Sequence, residues 1–410
     1  MIVAGELLLE RPGDADRPVE LASGYVRIEG EVITEVARCP PPASADLGGP
    51  GCLVAPGLVD THVHLPQFSL IGAHGLPLLE WLEEIVFPAE AQWADAAFAA
   101  RAAREAAGQL LAHGSTAVCA YSTIHHEATA AAIEQLAAAG LRGVVGMTMS
   151  DRAAPDELVD DPARLLDQTA DLLDRFPPGE RVAAAITPRF AVSCSAELLE
   201  GAGRLAAQTP GAAVQTHLSE TLDECRAVAA AFGGRGYTQV YADAGLLTPR
   251  TLLGHGVWLD PQEQQLIAQA GAVVAHCPTA NAFLRAGDMR RDELVASGLR
   301  LSLGSDVGAG YERSMVRVAR AMIQTASRLG DRYPTPAQAW AQITHAGADA
   351  AGLADAGRLA VGAPADLIVA KPTIDWQRGR VDPLARLLFA WDDRWLRTTL
   401  CRGAVVYAAA

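Results

Sequence analysis

Two histidines one residue apart, His62 and His64, are the first side chains of the sequence whose spacing could hold a metal ion. Alternate residues of an extended chain point to the same side, so both imidazoles can reach one cation. The pair follows the apolar run Leu53–Val59, which predicts a strand ending just before the histidines. Alone, such a pair describes surface or helix-capping histidines at least as well as metal ligands.

Four further residues share this position at the end of a predicted strand. His217, His255, His276 and Asp306 end the fifth, sixth, seventh and eighth predicted strands. Any one of them taken alone is more simply a hydrogen-bonded core histidine or a helix-capping aspartate. Their shared position favours a common site, and three imidazoles with one carboxylate suit Zn²⁺ with one coordination position open for water or substrate.

A carboxylate stands close to this predicted site. Glu220 lies three residues beyond His217 in the segment His-Leu-Ser-Glu, near enough to share the site and far enough to remain a free base. A solvated or helix-capping glutamate is the simpler alternative for this residue.

The elements that must position these residues alternate along most of the chain. Short apolar runs are followed by longer amphipathic segments rich in Ala and Leu, which is the pattern of βα units with buried parallel strands. The eight predicted strands are Leu53–Val59, Thr116–Tyr121, Leu141–Thr148, Val182–Thr187, Ala213–His217, Thr251–His255, Ala272–His276 and Leu299–Ser305. Predicted helices between them include Glu90–Ala112, Glu127–Ala139, Pro162–Phe176, Ala196–Gln208 and Pro261–Ala270.

This alternation predicts an α/β protein with a (β/α)8 TIM-type barrel, although an open doubly wound sheet produces the same local pattern. In a barrel, catalytic residues cluster at the C-terminal ends of the strands, where the candidate histidines stand. The two chain ends differ from the rest, with a hairpin turned at Gly30-Glu31 and strands over Ala365–Ala370 and Thr398–Tyr407. We predict that residues 1–53 and 357–410 form one small β domain beside a barrel of residues 54–356.

The motifs around these residues resemble those of the amidohydrolase superfamily, specifically its mononuclear aminohydrolases. The similar segments are Pro-Gly-Leu-Val-Asp-Thr-His62-Val-His64, Gln-Thr-His217-Leu-Ser-Glu220, Gly-His255-Gly, Gly-Ser-Asp306 and Gly-Arg-Leu-Ala-Val-Gly-Ala-Pro-Ala-Asp366-Leu-Ile. The resemblance covers nearly the whole chain. It implies that His62, His64, His217 and Asp306 hold one Zn²⁺ per chain, and it leaves Fe²⁺ open as the native metal.

The same resemblance implies roles for the remaining residues. Zinc lowers the pKa of a bound water toward neutrality, which makes hydroxide available for attack on a carbon that carries an amine. Glu220 would carry the proton from this water to the leaving amine, Asp306 would accept a hydrogen bond from the nucleophile, and His255 would orient or polarise the reacting group.

Two other metal-site architectures are excluded by the sequence. Binuclear relatives often bridge two metals with a carbamylated lysine in the barrel, but the only lysine here is Lys371, well past the eighth predicted strand. The combination of H-x-E with P-C-x-x-C that marks cytidine-deaminase-type zinc sites is also absent, because the sequence contains no P-C-x-x-C.

A narrower resemblance connects the chain to the guanine deaminases. It is carried by His62-Val-His64-Leu-Pro-Gln67, the segment Leu79–Glu90, Pro188-Arg189-Phe190 and Ala275-His276-Cys-Pro278. It implies that Gln67, Arg189 and Phe190 hold a purine-like base, and that the reaction is hydrolysis of guanine to xanthine and ammonia. An amide, a guanidinium and an aromatic ring suit the polar edge and flat face of such a base.

The third predicted strand departs from that family's pattern, and alternatives stay open. It contains Gly146-Met147-Thr-Met-Ser-Asp151, where guanine deaminases often carry a lysine and a Met-Asp pair. Another amino-heterocycle, such as isoxanthopterin, another pterin, 8-oxoguanine, a triazine or an adenosine-type nucleoside, is the alternative substrate. A catalytically inactive barrel that only binds a partner is the alternative of another class.

Composition indicates which partners to expect. A formal net charge of -15 disfavours nucleic acid and anionic membranes. The first residues lack the basic start and apolar run of a signal peptide, and the seven cysteines include no C-x-x-C pair. We therefore expect a cytoplasmic protein that binds a small molecule, and the sequence leaves a homodimer open.

Overall fold

Two sheets organise the chain in a computed structural model that describes residues 1–330, 332–353 and 355–409. In chain order, the strands of this described part are β1 Ile2–Glu10, β2 Val19–Glu29, β3 Val32–Ala37, β4 Leu47–Pro56, β5 Leu58–His64, β6 Ser115–Tyr121, β7 Arg142–Met149, β8 Val182–Pro188, β9 Ala213–Leu218, β10 Thr251–His255, β11 Val273–His276, β12 Arg300–Leu303, β13 Leu367–Ala370, β14 Leu396–Cys401 and β15 Ala404–Ala408.

The eight strands β5 to β12 form one parallel sheet in which neighbours in sequence are neighbours in space. The sheet curls until its first and last strands meet. There the Asp306 amide donates to the His62 carbonyl at 2.8 Å, and the His64 amide donates to the Val307 carbonyl at 2.8 Å. The predicted α/β barrel is therefore confirmed, and the open doubly wound alternative is wrong.

Helices cover the outside of the barrel and connect its strands. In chain order, the α-helices of the described residues are α1 Leu78–Trp81, α2 Phe87–Ala91, α3 Ala96–Ala112, α4 His126–Ala138, α5 Pro162–Arg175, α6 Ala196–Gln208, α7 Leu222–Ala231, α8 Tyr237–Asp243, α9 Pro261–Ala270, α10 Pro278–Phe283, α11 Arg291–Ala296, α12 Met315–Leu329, α13 Pro336–Gln342, α14 His345–Ala350 and α15 Pro383–Ala390. Shorter 3-10 or π turns occupy Leu65–Leu70, Leu82–Val86, Gln92–Ala94, Asp156–Leu158 and Asp393–Trp395. None of these helices combines the length and the apolar character needed to cross a bilayer.

Capping residues explain where several helices begin. Helix α9 begins at Pro261, as predicted. The Asp260 side chain accepts the amides of Gln262 and Glu263 at this start. The helix predicted to begin at Glu90 instead begins at Ala96. The Asp95 side chain accepts the amides of Ala97 and Phe98 there and starts a new helix, so Glu90 lies in the separate short helix α2.

The first barrel strand also begins later than predicted. The apolar run at Leu53 is shared between two sheets, because β4 pairs with β1 and β13 whereas β5 enters the barrel. The chain crosses between them at Gly57, whose amide donates to the Asp366 carbonyl at 2.9 Å. A Cβ at Gly57 would lie 1.9 Å from Thr116 Oγ1, so only glycine fits this crossing. As a result, His62 and His64 are the final residues of a strand and do not merely follow one.

The second sheet joins the two ends of the chain, as predicted. Its seven strands have the order β15-β14-β13-β4-β1-β2-β3 within the described residues, and β13 pairs antiparallel with β4. The sheet takes in residues up to Pro56, beyond the predicted domain boundary at residue 53. The segment predicted as one strand over Thr398–Tyr407 is a hairpin, because Arg402 and Gly403 turn it with φ of 51° and 75°.

Asp366 links the small sheet to the barrel, and its removal is expected to destabilise the protein. Its buried carboxylate accepts a 2.9 Å hydrogen bond from the Arg181 guanidinium and a 2.7 Å bond from the Arg402 amide. Asp366→Ala leaves both donors without this acceptor, so the free energy of unfolding should fall by about 2–4 kcal/mol in urea denaturation. The matched control is Asp355→Ala, because Asp355 is 71% exposed and pairs with Arg142 only at 3.7 Å. Equal losses in the two variants would contradict this role.

Candidate active site

Four side chains that the sequence singled out as metal ligands meet at the C-terminal end of the barrel. Asp306 Oδ1 lies 3.3 Å from His62 Nε2 and 3.4 Å from His64 Nε2. The Nε2 atoms of His64 and His217 are 3.1 Å apart. All four side chains are buried or nearly so, and His62, His64 and His217 form a group whose ligand atoms all lie within 4.8 Å of one another.

Two of the site residues have unusual backbone geometry, and it turns one of them, His255, inward. His255 and Asp306 have φ of 71° and 52°, in the left-handed region that residues other than glycine seldom adopt. Leu253 of β10 packs in the cluster that includes the helices, and simple alternation would direct His255 to the same side. The left-handed turn at His255 instead brings its Nε2 to within 3.9 Å of Asp306 Oδ2. Such conformations cluster at functional sites.

Two glycines make room for the first histidine. A Cβ at Gly254 would lie 2.6 Å from His62 Cε1, and a Cβ at Gly304 would lie 2.4 Å from His62 Cβ. Side chains at these positions would displace the imidazole. The sequence motifs therefore have glycine before His255 and before Ser305 because a side chain at either position would collide with His62.

The chemistry of this donor set fits a divalent cation. His62 Nε2 is buried without a hydrogen-bond partner among the described residues. The Nδ1 atom of His217 lies 2.7 Å from the Arg189 carbonyl, which fixes its proton there and leaves Nε2 free to bind a metal. Burial lowers the pKa of His62 to about 3, and it lowers the pKa of His64 and His217 well below the usual range. Neutral imidazoles beside a carboxylate are the ligands that zinc prefers.

Glu220 adjoins this group without belonging to it. Its Oε2 lies 3.5 Å from His255 Nε2, and its Oε1 is buried without a partner among the described residues. Burial, with a smaller contribution from the Asp306 charge, raises the pKa of Glu220 well above its usual range. The backbone of Glu220 is held by a 2.8 Å hydrogen bond to Glu224 Oε2, within the capping box that begins α7. A carboxyl group with a raised pKa can both take up and release a proton near neutral pH.

The predicted base-contacting residues line a cavity beside the histidines. The cavity is narrow, with about 30 Å³ of space that the centre of a water molecule can reach. Gln67, Arg189 and Phe190 line one part of it, and Leu78, Trp81, Leu82, Leu284 and Ala309 provide apolar walls. His64, His217, Glu220, His255 and Asp306 complete the lining, so a bound base would lie directly against the predicted metal site.

Two sequence candidates lie away from this arrangement. His62, His255 and Asp306 form a second group of closely spaced ligand atoms. His276 ends β11 as predicted, but it does not line the cavity and belongs to neither of these two groups of the described residues. Met147, in the strand that departs from the guanine deaminase pattern, is fully buried in the hydrophobic core and does not line the cavity either.

Sequence reasoning missed Glu90, which contacts two of the predicted base-binding residues. Its carboxylate receives hydrogen bonds from the Arg189 guanidinium at 2.5 and 3.2 Å and from the Gln67 amide at 3.1 Å. The side chain is buried. Glu90 ends a segment that resembles guanine deaminases, but its spacing alone suggested only a helical glutamate. A buried carboxylate between two other site residues is visible only in three dimensions.

Comparison with known proteins agrees with this site. Residues 53–406 match the amidohydrolase family. Guanine deaminase of Escherichia coli strain K12 is 32% identical over 367 residues, which cover 87% of this chain and 83% of that protein. A probable guanine deaminase of Deinococcus radiodurans is 36% identical over 327 residues, covering 79% of this chain and 74% of that protein.

Solved structures give the same result for the whole chain. The structure of E. coli guanine deaminase superposes with a TM-score of 0.93 at 29% identity and covers 100% of both chains. The guanine deaminase of C. acetobutylicum, whose structure has guanine bound in the active site, gives a TM-score of 0.91 at 26% identity and covers 99% of both chains.

Proposed function

This chain belongs to the amidohydrolase family, and we propose that it hydrolyses guanine to xanthine and ammonia. The observation that carries the proposal is a single cavity in which Gln67, Arg189 and Phe190 lie beside the histidine cluster. The guanine deaminases described above support the same reaction. One water is consumed for each amine released, because the C2–N bond of guanine is replaced by a C2–O bond.

The proposed metal site contains one zinc ion, held by His62, His64, His217 and Asp306. Three neutral imidazoles and one carboxylate support this assignment. The Nε2 atoms of His64 and His217 also lie only 3.1 Å apart, close enough to bind one ion. Bound zinc would supply a Lewis acid that lowers the pKa of water toward neutrality. The chain's own residues then determine where the proton goes.

Glu220 is the proposed proton carrier. Its unpartnered Oε1 and its raised pKa allow it to accept a proton from the attacking water and to return it to the ring nitrogen and the departing amine. His255 Nε2 lies 3.5 Å from Glu220 Oε2, where it can orient or polarise the reacting group. The Asn281 amide group lies 3.0 Å from His255 Nδ1, and donation from it keeps the imidazole proton on the Nε2 atom that faces Glu220. Asp306 is proposed to accept a hydrogen bond from the nucleophile in addition to its role as a ligand.

The proposed setting is that of a cytoplasmic enzyme acting on a small purine-like base. A formal net charge of -15 supports a small-molecule partner, because this charge repels phosphate backbones and anionic membrane surfaces. The largely apolar walls of the cavity also suit a neutral base better than a charged polymer.

A panel of amino-heterocycles tests the substrate. Guanine should release ammonia and yield xanthine, whereas adenine, cytosine and guanosine should be poor substrates. A site built to bind particular heteroatoms leaves its own polar groups unpaired with the wrong base, which reduces kcat/KM by a factor on the order of ten thousand. Ammonia release is measured side by side for all substrates, with isoxanthopterin and 8-oxoguanine included because of the departure at Met147. Much faster turnover of either of these two would keep the chemistry but overturn guanine as the substrate.

A further inference from the structure

We propose that Glu90 fixes the hydrogen-bonding pattern of the base cavity, so that the cavity accepts a lactam edge and rejects the reversed edge. A lactam edge is an N–H donor beside a carbonyl acceptor. The inference rests on the proposed function in one respect, since it takes the cavity of Gln67 and Arg189 as the site of the base. It adds a positioning residue that touches no substrate and acts through two residues that do.

The carboxylate of Glu90 binds both residues at once. Oε1 accepts from Gln67 Nε2 at 3.1 Å and from Arg189 Nη2 at 3.2 Å, while Oε2 accepts from Arg189 Nη1 at 2.5 Å. Glu90 is 2% exposed and Arg189 is 4% exposed, so water competes little for these bonds. The guanidinium also lies over the Phe87 ring, 5.3 Å from its centroid, which further limits its movement.

The first consequence concerns the orientation of Gln67. An ionised carboxylate can only accept hydrogen bonds, so Gln67 must present its NH2 group to Glu90 and its carbonyl oxygen elsewhere. That oxygen, Oε1, is buried and has no partner among the described residues, and Gln67 lines the cavity. Glu90 therefore fixes the Gln67 amide with an acceptor available to the ligand. A flipped amide would place two N–H donors there instead.

The second consequence concerns Arg189, which can only donate. Glu90 takes one N–H from each terminal nitrogen, and the remaining N–H groups of this cavity-lining side chain are available to an acceptor on the ligand. The ion pair also keeps the guanidinium charge neutralised, so the cavity gains a donor without a net positive charge. Gln67 and Arg189 together offer one acceptor beside one donor.

This pair is complementary to the lactam edge of a 6-oxopurine. Guanine presents N1–H as a donor and O6 as an acceptor, whereas a 6-aminopurine presents an acceptor at N1 and a donor at N6. The reversed edge would set donor against donor and acceptor against acceptor at both contacts. 8-Oxoguanine and pterins with a 4-oxo group carry the same lactam edge, so the inference defines a class of substrate that includes these alternatives to guanine and excludes adenosine-type nucleosides.

The turnover test compares two bases that carry the same reacting amine. Guanine and 2,6-diaminopurine share the 2-amino group and differ at the edge that Gln67 and Arg189 contact. We expect the unaltered enzyme to favour guanine by roughly a thousandfold or more in kcat/KM. Glu90→Gln can donate to the Gln67 oxygen and let that amide flip, so the preference should shrink at least about tenfold, chiefly through KM for guanine. Zinc content should not change.

The matched control is Glu84→Gln, which makes the same substitution on an exposed residue of the same segment. It should keep the full preference for guanine. A Glu90→Gln enzyme that keeps the full preference, or a Glu84→Gln enzyme that loses as much of it, overturns the assignment.

A binding test separates this inference from the proposed reaction. Hypoxanthine and adenine lack the 2-amino group, so calorimetric titration of the zinc-loaded protein with each of them measures recognition of the edge without turnover. Hypoxanthine should bind at least roughly tenfold more tightly than adenine. Equal affinities would overturn the inference even if guanine is deaminated, and a preference for hypoxanthine that shrinks in Glu90→Gln would uphold it even if guanine is not the substrate.

A second variant keeps the inference testable if Glu90→Gln does not fold. Gln67→Met removes the acceptor but leaves the ion pair between Glu90 and Arg189 intact. It should weaken the preference for hypoxanthine over adenine, because only the Arg189 contact then distinguishes the two bases, while the thermal unfolding midpoint stays close to that of the unaltered protein. Retention of the full preference in Gln67→Met would overturn the inference, because it would show that the Gln67 oxygen does not contact the base.

Discussion

Replacing His217 with alanine is expected to remove bound zinc and deaminase activity together. His217 is one of four proposed ligands, and its Nε2 atom lies 3.1 Å from that of His64. The substitution leaves two imidazoles and one carboxylate and removes the ligand whose orientation the Arg189 carbonyl fixes, so the remaining set should bind zinc more weakly. Water without the metal has a pKa far above neutrality, so activity should fall by more than roughly a thousandfold.

Metal analysis and an ammonia-release assay on one preparation test this expectation. The unaltered protein should contain about one zinc ion per chain and lose activity with a chelator. His126→Ala is the control, because His126 lies outside the site and pairs with Glu127 and Asp171 on the surface. A His217→Ala protein with full activity and little metal would refute the zinc mechanism, and full zinc in that variant would refute the ligand assignment.

Glu220→Gln is expected to keep zinc while lowering kcat by roughly a hundredfold or more. The amide has nearly the same size as the carboxyl group but cannot accept and release the proton. Glu220 belongs to neither group of candidate ligands among the described residues, so the metal should stay bound. The KM for guanine should change less than kcat, because Gln67, Arg189 and Phe190 are untouched.

The control for this variant is Glu197→Gln, an exposed glutamate in the first turn of α6. It should match the unaltered enzyme in zinc content and in kcat. If Glu220→Gln loses zinc in proportion to its loss of rate, then the carboxylate is a ligand and the proposed division of roles is wrong.

The sequence by itself determined the alternation of strands and helices and the residue types of the site. Local apolar runs and amphipathic segments depend on neighbours in sequence, so seven of the eight predicted barrel strands overlap the observed strands with ends shifted by only a few residues. Because strand ends of a parallel barrel meet at one face, the positions of His62, His64, His217, His255 and Asp306 also predicted that they would converge. The resemblance to a known family then narrowed the chemistry.

Only the tertiary structure decided how the remaining parts fit together. The apolar run at Leu53 divides between two sheets at Gly57, where Thr116 leaves no room for a side chain and Asp366 supplies a hydrogen-bond acceptor, and both residues are far away in sequence. His255 points into the site through a left-handed backbone conformation, against the alternation of its strand. Glu90 is paired with Arg189, which lies 99 positions away in sequence. These features depend on contacts between segments that are distant in sequence. A local pattern of residue types does not show which distant segments will be in contact.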